Sequence, residues 1–116
     1  MADIPDTQSG MVSEKGKVAY HIVNKFVQLS AAGTAELWAA TADKKHHITD
    51  IIVSVDTAMT VKIQDGSNDI LVVYLAANGG FIMNFQTPLI GSVNTAINVT
   101  TESTGNCSVT VTGYDD

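Results

Sequence analysis

The sequence predicts an all-β protein, built as an antiparallel sandwich or barrel. Thr, Val, Asn, Ile and Gly are plentiful and only 16% of the residues are charged, a composition typical of strands joined by tight turns. From Val18 onward the chain divides into eight β-like segments that follow one another at intervals of about 8 to 12 residues. A chain of 116 residues is the usual size of one domain, so we expect one hydrophobic core.

The first two β-like segments are less regular in their alternation of apolar and polar residues than the segments that follow. Val18 to Leu29 has apolar residues on both faces, which predicts a central strand. Thr34 to Thr41 follows a glycine turn, and alternation along it places Trp38 on the face opposite Leu37. A helix over Ala31 to Ala42 is the alternative, because Ala, Glu and Leu favour helices, but the segment is short and has a glycine near its start.

The three middle segments alternate more regularly. His47 to Asp56 is predicted to be a half-buried strand. Met59 to Asp65 has a clean period of two, as expected when one face is buried and the other solvated. Ile70 to Leu75 is almost continuously apolar, and the turn residues Gly66-Ser67-Asn68 between these two segments predict a hairpin.

The last three segments complete the count. Phe81 to Gln86 follows Asn78-Gly79-Gly80, residues that tolerate positive φ, and Pro88 is expected to end this strand because proline cannot donate to a ladder. Thr95 to Thr101 and Asn106 to Tyr114 are the last two strands. Eight strands are the count of a jelly roll, in which two four-stranded sheets face each other across one core.

The N-terminal residues 1–16 show neither strand nor helix periodicity. We interpret them as an extended N-terminal arm that precedes a single domain of residues 17–116. The arm carries isolated apolar residues, Ile4, Met11 and Val12, beside Pro5. They are candidates for anchoring the arm on a neighbouring protein, and a frayed terminus is the alternative.

Charge and cysteine content limit the classes of partner and the covalent cross-links that we expect for this chain. A formal net charge of -6 with six Lys and Arg gives no basic surface for nucleic acid or for a membrane, although it suits a partner with a basic face. Cys107 is the only cysteine, so no internal disulfide is expected and the thiol is predicted to be buried. Neither a signal peptide nor an apolar run of about 18 residues is found, so we expect synthesis in a cytoplasm.

No catalytic constellation emerges. His46 and His47 are adjacent on a predicted strand and point to opposite faces, so they cannot easily share a metal and are expected to be solvated or hydrogen-bonded. Asp65 to Asp69 lacks the glycine position and the bidentate Glu of a calcium loop, so a turn is expected. No serine lies in a nucleophile elbow. We therefore expect no enzyme activity, no cofactor, no metal and no small-molecule substrate.

The aromatic residues leave one alternative open. Trp38, Tyr20, Tyr74 and Phe81 are candidates for a platform that stacks on sugars. Core or subunit interface is the favoured interpretation, because the chain has one Trp and 6% aromatic residues.

The last two thirds of the chain contain a set of turn and strand motifs. They are Val61-Lys-Ile-Gln-Asp-Gly-Ser, Ala77-Asn-Gly-Gly-Phe, Phe85-Gln-Thr-Pro-Leu, Gly91-Ser, Asn94-Thr-Ala-Ile-Asn-Val and Val109-Thr-Val-Thr-Gly-Tyr. Together these motifs resemble those of small jelly-roll capsid decoration (cement) proteins of tailed bacteriophages, and the resemblance covers about residues 50–114. The motifs punctuate strands and turns, so they specify a fold better than a role.

The resemblance implies a structural virion protein made in the host cytoplasm. Such proteins sit as homotrimers on the outer capsid surface, where they bind the major capsid protein and hold neighbouring capsomers together. The arm, through Ile4, Pro5, Met11 and Val12, is then expected to contact the shell or an adjacent subunit. Apolar residues expected on outward faces are candidates for the subunit interface, namely Trp38, Ile52, Tyr74 and Ile82.

Two other functions remain open at this point. One is a carbohydrate- or receptor-binding jelly roll of a tail fibre or a secreted enzyme. The other is a lyase or isomerase of cupin type, although a cupin places two histidines one residue apart with a following Glu, and that spacing is missing here.

Overall fold

A computed structural model describes residues 21–116, which form two four-stranded antiparallel sheets packed face to face. The β1 sheet has the strand order β1-β8-β3-β6, and the β2 sheet has the order β2-β7-β4-β5. No helix long and apolar enough to cross a membrane occurs in this part of the chain. The strands are β1 (Val23–Leu29), β2 (Gly33–Trp38), β3 (His46–Val55), β4 (Met59–Asp65), β5 (Asn68–Leu75), β6 (Gly80–Ile90), β7 (Ile97–Thr101) and β8 (Cys107–Asp115).

The connectivity is that of a jelly roll. Apart from the β4–β5 hairpin, each pair of consecutive strands lies in different sheets, so the chain crosses between layers at almost every turn. All strand pairs are antiparallel. The prediction of an eight-stranded antiparallel jelly-roll sandwich is confirmed, and so is the predicted hairpin.

The core lies between the sheets and follows from the period of two. Buried and partly exposed residues alternate without a break along β4 and β7, because each of these strands turns one face to the other sheet. Cys107 lies in this core, fully buried, and burial raises the pKa of its thiol. The residues that fill the core include Ile48, Ile51, Val53, Val61, Ile63, Ile97, Val99, Val109 and Val111.

The expected central position of the first strand is wrong, because β1 is the edge strand of its sheet in the described chain. Its inward residues, Val23, Val27 and Leu29, pack against the core. Its outward Phe26 stays 62% exposed. The apolar residues on its second face therefore mark an exposed apolar surface, where the sequence had suggested a central strand.

The expectation that Pro88 ends its strand is also wrong, since β6 continues to Ile90. β6 is the other edge strand of the β1 sheet, so among residues 21–116 one side of its backbone has no neighbouring strand. In addition, its pairing with β3 jumps at an irregularity between Ile48 and Asp50, and residues 85–88 have no paired residue in β3. A proline is tolerated there because no ladder hydrogen bond is required of it.

The expected outward orientation of Trp38 is wrong as well. The pairing of β2 with β7 shifts register between Glu36 and Trp38, and such a bulge breaks the strict alternation of faces. Leu37 and Trp38 are consequently both buried, with Trp38 only 4% exposed. The same strand excludes the helix considered for residues 31–42. The predicted N-terminal arm lies outside the described residues.

Candidate interaction surface

The outer face of the β1 sheet carries a row of paired residues that crosses all four strands and is apolar in three of them. Phe26 in β1 pairs with Thr110 in β8, Thr110 pairs with Ile52 in β3, and Ile52 pairs with Ile82 in β6. Directly paired residues of antiparallel strands point to the same face. Phe26, Ile52 and Ile82 are 62%, 50% and 77% exposed. We call Phe26, Ile52 and Ile82 the apolar row.

Polar rows flank the apolar row on both sides. On one side the Thr112 hydroxyl donates to the Asn24 side-chain oxygen at 2.6 Å, and the Asp50 carboxylate accepts from the Asn84 amide and the Thr49 hydroxyl. These polar groups are thus already hydrogen-bonded to one another. The flanking rows are Asn24, Thr112, Asp50 and Asn84 on one side and Gln28, Ser108, Ser54 and Gly80 on the other.

A second, partly aromatic row lies beyond the irregularity in β3. His47 pairs with Tyr114 on one side and with Ile90 on the other. The rings of His47 and Tyr114 stack with centroids 4.7 Å apart and planes inclined by 8°. Ile90 is exposed, so this row extends the apolar character of the same face.

The outer face of the β2 sheet is different, because polar side chains cover it in a continuous ladder. The hydroxyls of Thr34 and Thr100 are 2.7 Å apart, Thr100 donates to the Gln64 side-chain oxygen at 2.9 Å, and Gln64 donates to Asp69 at 2.9 Å. We call Thr34, Thr100, Gln64 and Asp69 the polar ladder. Its side chains satisfy one another, so this face can remain in water at little cost.

Charge is also concentrated on the β2 sheet. Lys62 and Glu102 form an ion pair at 2.9 Å. The hydrogen bond and the charge of Glu102, followed by the charge of Asp69, hold the pKa of Lys62 above its usual value. Tyr74 lies on the edge strand β5 of the same sheet and is 80% exposed. It lines a shallow depression of about 500 Å³.

His46 takes part in a buried network that ties the end of β8 to the loop after β2. Its ring stacks on Trp38 with centroids 4.1 Å apart, Nε2 donates to the Ala39 carbonyl at 2.9 Å, and Nδ1 is hydrogen-bonded to the Asp115 carboxylate. Thr41 donates to the same carboxylate at 2.6 Å. Burial alone raises the pKa of Asp115, but the hydrogen bonds from Thr41 and His46 outweigh it and the pKa lies below the ordinary value.

The prediction that His46 and His47 point to opposite faces is confirmed. His46 is buried and hydrogen-bonded, whereas His47 lies on the outer face. Within residues 21–116, no group of three or more His, Cys, Asp or Glu side chains is placed to hold a metal ion.

Two further aspartates lock turns between the sheets. Asp65 is buried and accepts from the Ser92 backbone N–H at 2.9 Å and from its hydroxyl at 2.6 Å, and the segment that begins with Asp65 is the predicted β4–β5 turn. Asp56 accepts from the backbone N–H and the side-chain amide of Asn106, both at 2.8 Å. These bonds, the backbone one foremost, lower the pKa of Asp56.

The structure distributes the four predicted interface residues over three places. Ile52 and Ile82 lie together in the apolar row, Tyr74 lies on the other sheet, and Trp38 lies in the core. The sequence had not pointed to Phe26 as an interface residue, although its position on the second apolar face of β1 was the available signal. The arm residues Ile4, Pro5, Met11 and Val12 lie outside the described residues.

The alternative of an aromatic platform for sugars does not form from the described candidates. Trp38 is in the core and Phe81 packs against the core, which leaves Tyr74 as the exposed ring of the three described candidates. Tyr20 lies outside the described residues.

A known structure shares this fold. Neither a protein-family model nor a curated protein matches the chain. A chain of the cyanophage Pam1 capsid asymmetric unit aligns over 96% of this chain and 99% of its own length, with 11% identity and a TM-score of 0.54.

Two weaker likenesses are a chain of the extra small virus particle of the giant freshwater prawn Macrobrachium rosenbergii and a chain of the Bacillus endospore appendages. The first has 11% identity and a TM-score of 0.43, and it covers 99% of this chain and 90% of that chain. The second has 16% identity and a TM-score of 0.42, and it covers 89% and 96%. At these identities the Pam1 likeness shows a shared fold.

Proposed function

We propose that this protein is a structural virion component that decorates the outer surface of a capsid as a homotrimer and stabilises the head by binding the major capsid protein. The observation that carries the proposal is the full-length likeness to a chain of the Pam1 capsid asymmetric unit. Because nearly all of both chains is aligned, that chain is about as long as this one. The comparison is thus with a small capsid component of similar size and fold.

The surface of the molecule suits work done by binding. Covering a large apolar side chain is worth about 1.5–3 kcal/mol, so the three residues of the apolar row offer several kcal/mol to whatever protein covers them. Turns locked by Asp56, Asp65 and Asp115 keep this surface in a fixed shape, and rigidity lowers the entropic cost of association. Contacts of this kind stabilise a shell by binding alone, with no chemical reaction.

The proposal divides the contacts between two parts of the chain. Residues 1–16, through Ile4, Pro5, Met11 and Val12, contact the shell or an adjacent subunit. Ile52 and Ile82 contribute to the trimer interface, and Tyr74, exposed on the other sheet, is assigned to no subunit contact. The net charge of -6 favours a basic surface on the shell.

The test is decoration of capsids assembled from the major capsid protein encoded with this chain. Purified protein is mixed with undecorated capsids and cosedimented, and saturable binding is expected. Deleting residues 2–16 should leave a folded trimer that no longer binds. The absence of binding by the full-length protein contradicts the decoration function, and undiminished binding by the truncated protein contradicts the role of the arm.

A matched pair of arm variants separates apolar anchoring from arm length. Changing Ile4, Met11 and Val12 together to Ser removes the anchors, and we expect capsid affinity to fall at least about tenfold for the loss of three apolar contacts. Changing Thr7, Gln8 and Ser9 together to Ala keeps the anchors and should leave the affinity unchanged.

A second candidate function, carbohydrate binding, is favoured by one observation. Tyr74 is exposed and lines the shallow depression together with the polar residues Thr60, Glu102 and Ser103. An aromatic face next to a few polar groups is a common way to bind a small polar ligand. Glycan-array binding that Tyr74→Ala abolishes would support it, and no binding to the array would exclude it for the glycans tested.

A further inference from the structure

We infer that copies of this chain associate with one another through the outer face of the β1 sheet, with the apolar row of Phe26, Ile52 and Ile82 at the centre of the contact. The inference rests on the proposed function in one respect, since it names the surface that builds the proposed trimer. Association of copies is measured without capsids, so the two ideas fail separately.

The distribution of exposed apolar side chains supports this face. The described chain exposes eight large apolar side chains. Four of them lie on the outer face of the β1 sheet, and Ile22 lies immediately before β1. Exposed apolar side chains that gather on one face mark a candidate protein contact. The four are Phe26, Ile52, Ile82 and Ile90.

The polar groups beside the row make the face ready to be covered. Hydrogen bonds within the face already join Asn24 to Thr112 and Asp50 to Asn84. A partner that covers these groups therefore does not have to replace every hydrogen bond that they make to water. A buried polar group without a partner costs about 1–3 kcal/mol. Covering this face therefore removes apolar area from water while leaving these hydrogen bonds in place.

Charge identifies a second copy as the occupant. The chain is acidic, and two identical acidic surfaces repel each other when they meet. The four rows on the outer face of the β1 sheet contain one carboxylate, Asp50, and no Lys or Arg. Lys25 and Asp115 of the same sheet pair with the buried Val111 and His46 and so belong to its other face. Glu36, Asp69, Glu102 and Lys62 lie on or beside the β2 sheet. Copies can thus meet through the β1 sheet with little repulsion, and a basic partner suits the β2 sheet better.

The size of the face sets the strength of the contact. Four strands about 4.8 Å apart and about seven residues long, at about 3.3 Å each, give a footprint of about 450 Å². A standard interface buries about 800 Å² per partner. The β1 sheet accordingly supplies the centre of the interface, and loss of one residue of the apolar row should weaken the whole contact.

The test compares Ile82→Glu with Tyr74→Glu by light scattering coupled to chromatography and by sedimentation equilibrium. The two residues are similarly exposed, at 77% and 80%, and lie on edge strands of different sheets. The wild type should be oligomeric. Ile82→Glu should weaken association by about 100-fold, the scale of a hot-spot loss, whereas Tyr74→Glu should associate like the wild type. Circular dichroism melting checks that each variant is folded.

A second variant tests proximity without breaking the contact. Cys107 is fully buried, so Ile82→Cys introduces the only accessible thiol. A short bismaleimide should crosslink Ile82→Cys into covalent oligomers at low protein concentration. Tyr74→Cys is the control, and it should give only the background expected from random collision.

Two results overturn the inference. One is a wild type that stays monomeric up to about 100 μM, the range in which even weak contacts are populated. In that case, loss of capsid binding by Ile82→Glu would identify the capsid as the occupant of the face, and stronger binding of an apolar fluorescent dye after deletion of residues 2–16 would identify the arm. The other result is dissociation by Tyr74→Glu while Ile82→Glu stays associated. An oligomer that dissociates as expected but never binds capsids supports the inference and contradicts the proposed function.

Discussion

The two outer faces of this sandwich are built on the same plan and carry opposite chemistry. On the β1 sheet, one row across the strands is apolar and exposed, from Phe26 to Ile82. On the β2 sheet, hydroxyl and amide groups bond to one another from Thr34 to Asp69. The inner faces of both sheets are mostly apolar, with His46, Asp65 and Thr101 as the buried polar residues of the described chain. The fold therefore depends on the inner faces, while the outer faces are free to differ, and their difference is where function is to be sought.

The largest expected effect is on the free energy of unfolding, and it comes from disturbing the packed core that supports both outer faces. A Cβ added at Gly113 would meet the His47 backbone carbonyl and lie 3.1 Å from the Trp38 ring. Because a backbone atom in a paired strand cannot move aside, Gly113→Ala should cost about 3 kcal/mol or more, or prevent folding. Ser108→Ala, on the outer face of the same strand, is the control and should change stability by less than about 0.5 kcal/mol. Urea unfolding of both variants measures this, and an unchanged midpoint for Gly113→Ala contradicts the close approach.

The next prediction separates the two outer faces directly. Thr100→Val removes a member of the polar ladder and leaves Gln64 without its donor, so we expect a loss of about 0.5–1.5 kcal/mol in the free energy of unfolding and no change in association. Ile52→Thr should do the reverse, with stability within about 0.5 kcal/mol of the wild type and weaker association. Equal effects of the two substitutions on association would remove the distinction between the faces.

A smaller effect concerns pH. The pKa of Asp115 is lowered in the folded state, as is that of Asp56, so each carboxylate contributes stability that is present above the unfolded pKa. That contribution should be lost as the pH falls through the ordinary value of 3.8 toward the lower folded value. Melting temperatures measured between about pH 6 and 3 should fall, and Asp115→Asn should make the fall shallower. An identical pH profile for Asp115→Asn would show that this carboxylate does not contribute.

The smallest effect is expected on the charged part of the β2 sheet. Lys62 and Glu102 pair at the surface, where such ion pairs contribute little to stability. Lys62→Met should leave the melting temperature and the self-association unchanged. A clear drop in either quantity would mean that the β2 face takes part in holding the molecule or its assembly together.

The sequence predicted the fold best where alternation was unbroken. The bounds of β4, Met59–Asp65, agree with the prediction, and β7 and β8 agree within two residues. Errors arose at irregularities. The bulge after Glu36 turned Trp38 inward, and the unpaired stretch of β6 let the strand pass through Pro88. Local residue patterns do not reveal where a register shifts, because that depends on the partner strand.

The candidate surface was predictable only in part, because local alternation shows which face a residue points to but does not show which residues it pairs with. Ile52 and Ile82 were each recognisable as apolar residues on an outward face. Their alignment with Phe26 is fixed by the pairing of β1, β8, β3 and β6, strands that are far apart in the sequence. An apolar row across a sheet is thus a property of register, and only the three-dimensional structure displays it.

The most direct test of this account is a cryo-electron microscopy reconstruction of capsids incubated with the purified protein. The account predicts added density on the outer surface, in groups of three copies that contact one another through the outer faces of their β1 sheets. Capsids without added density, or bound copies whose apolar rows face solvent, would contradict it.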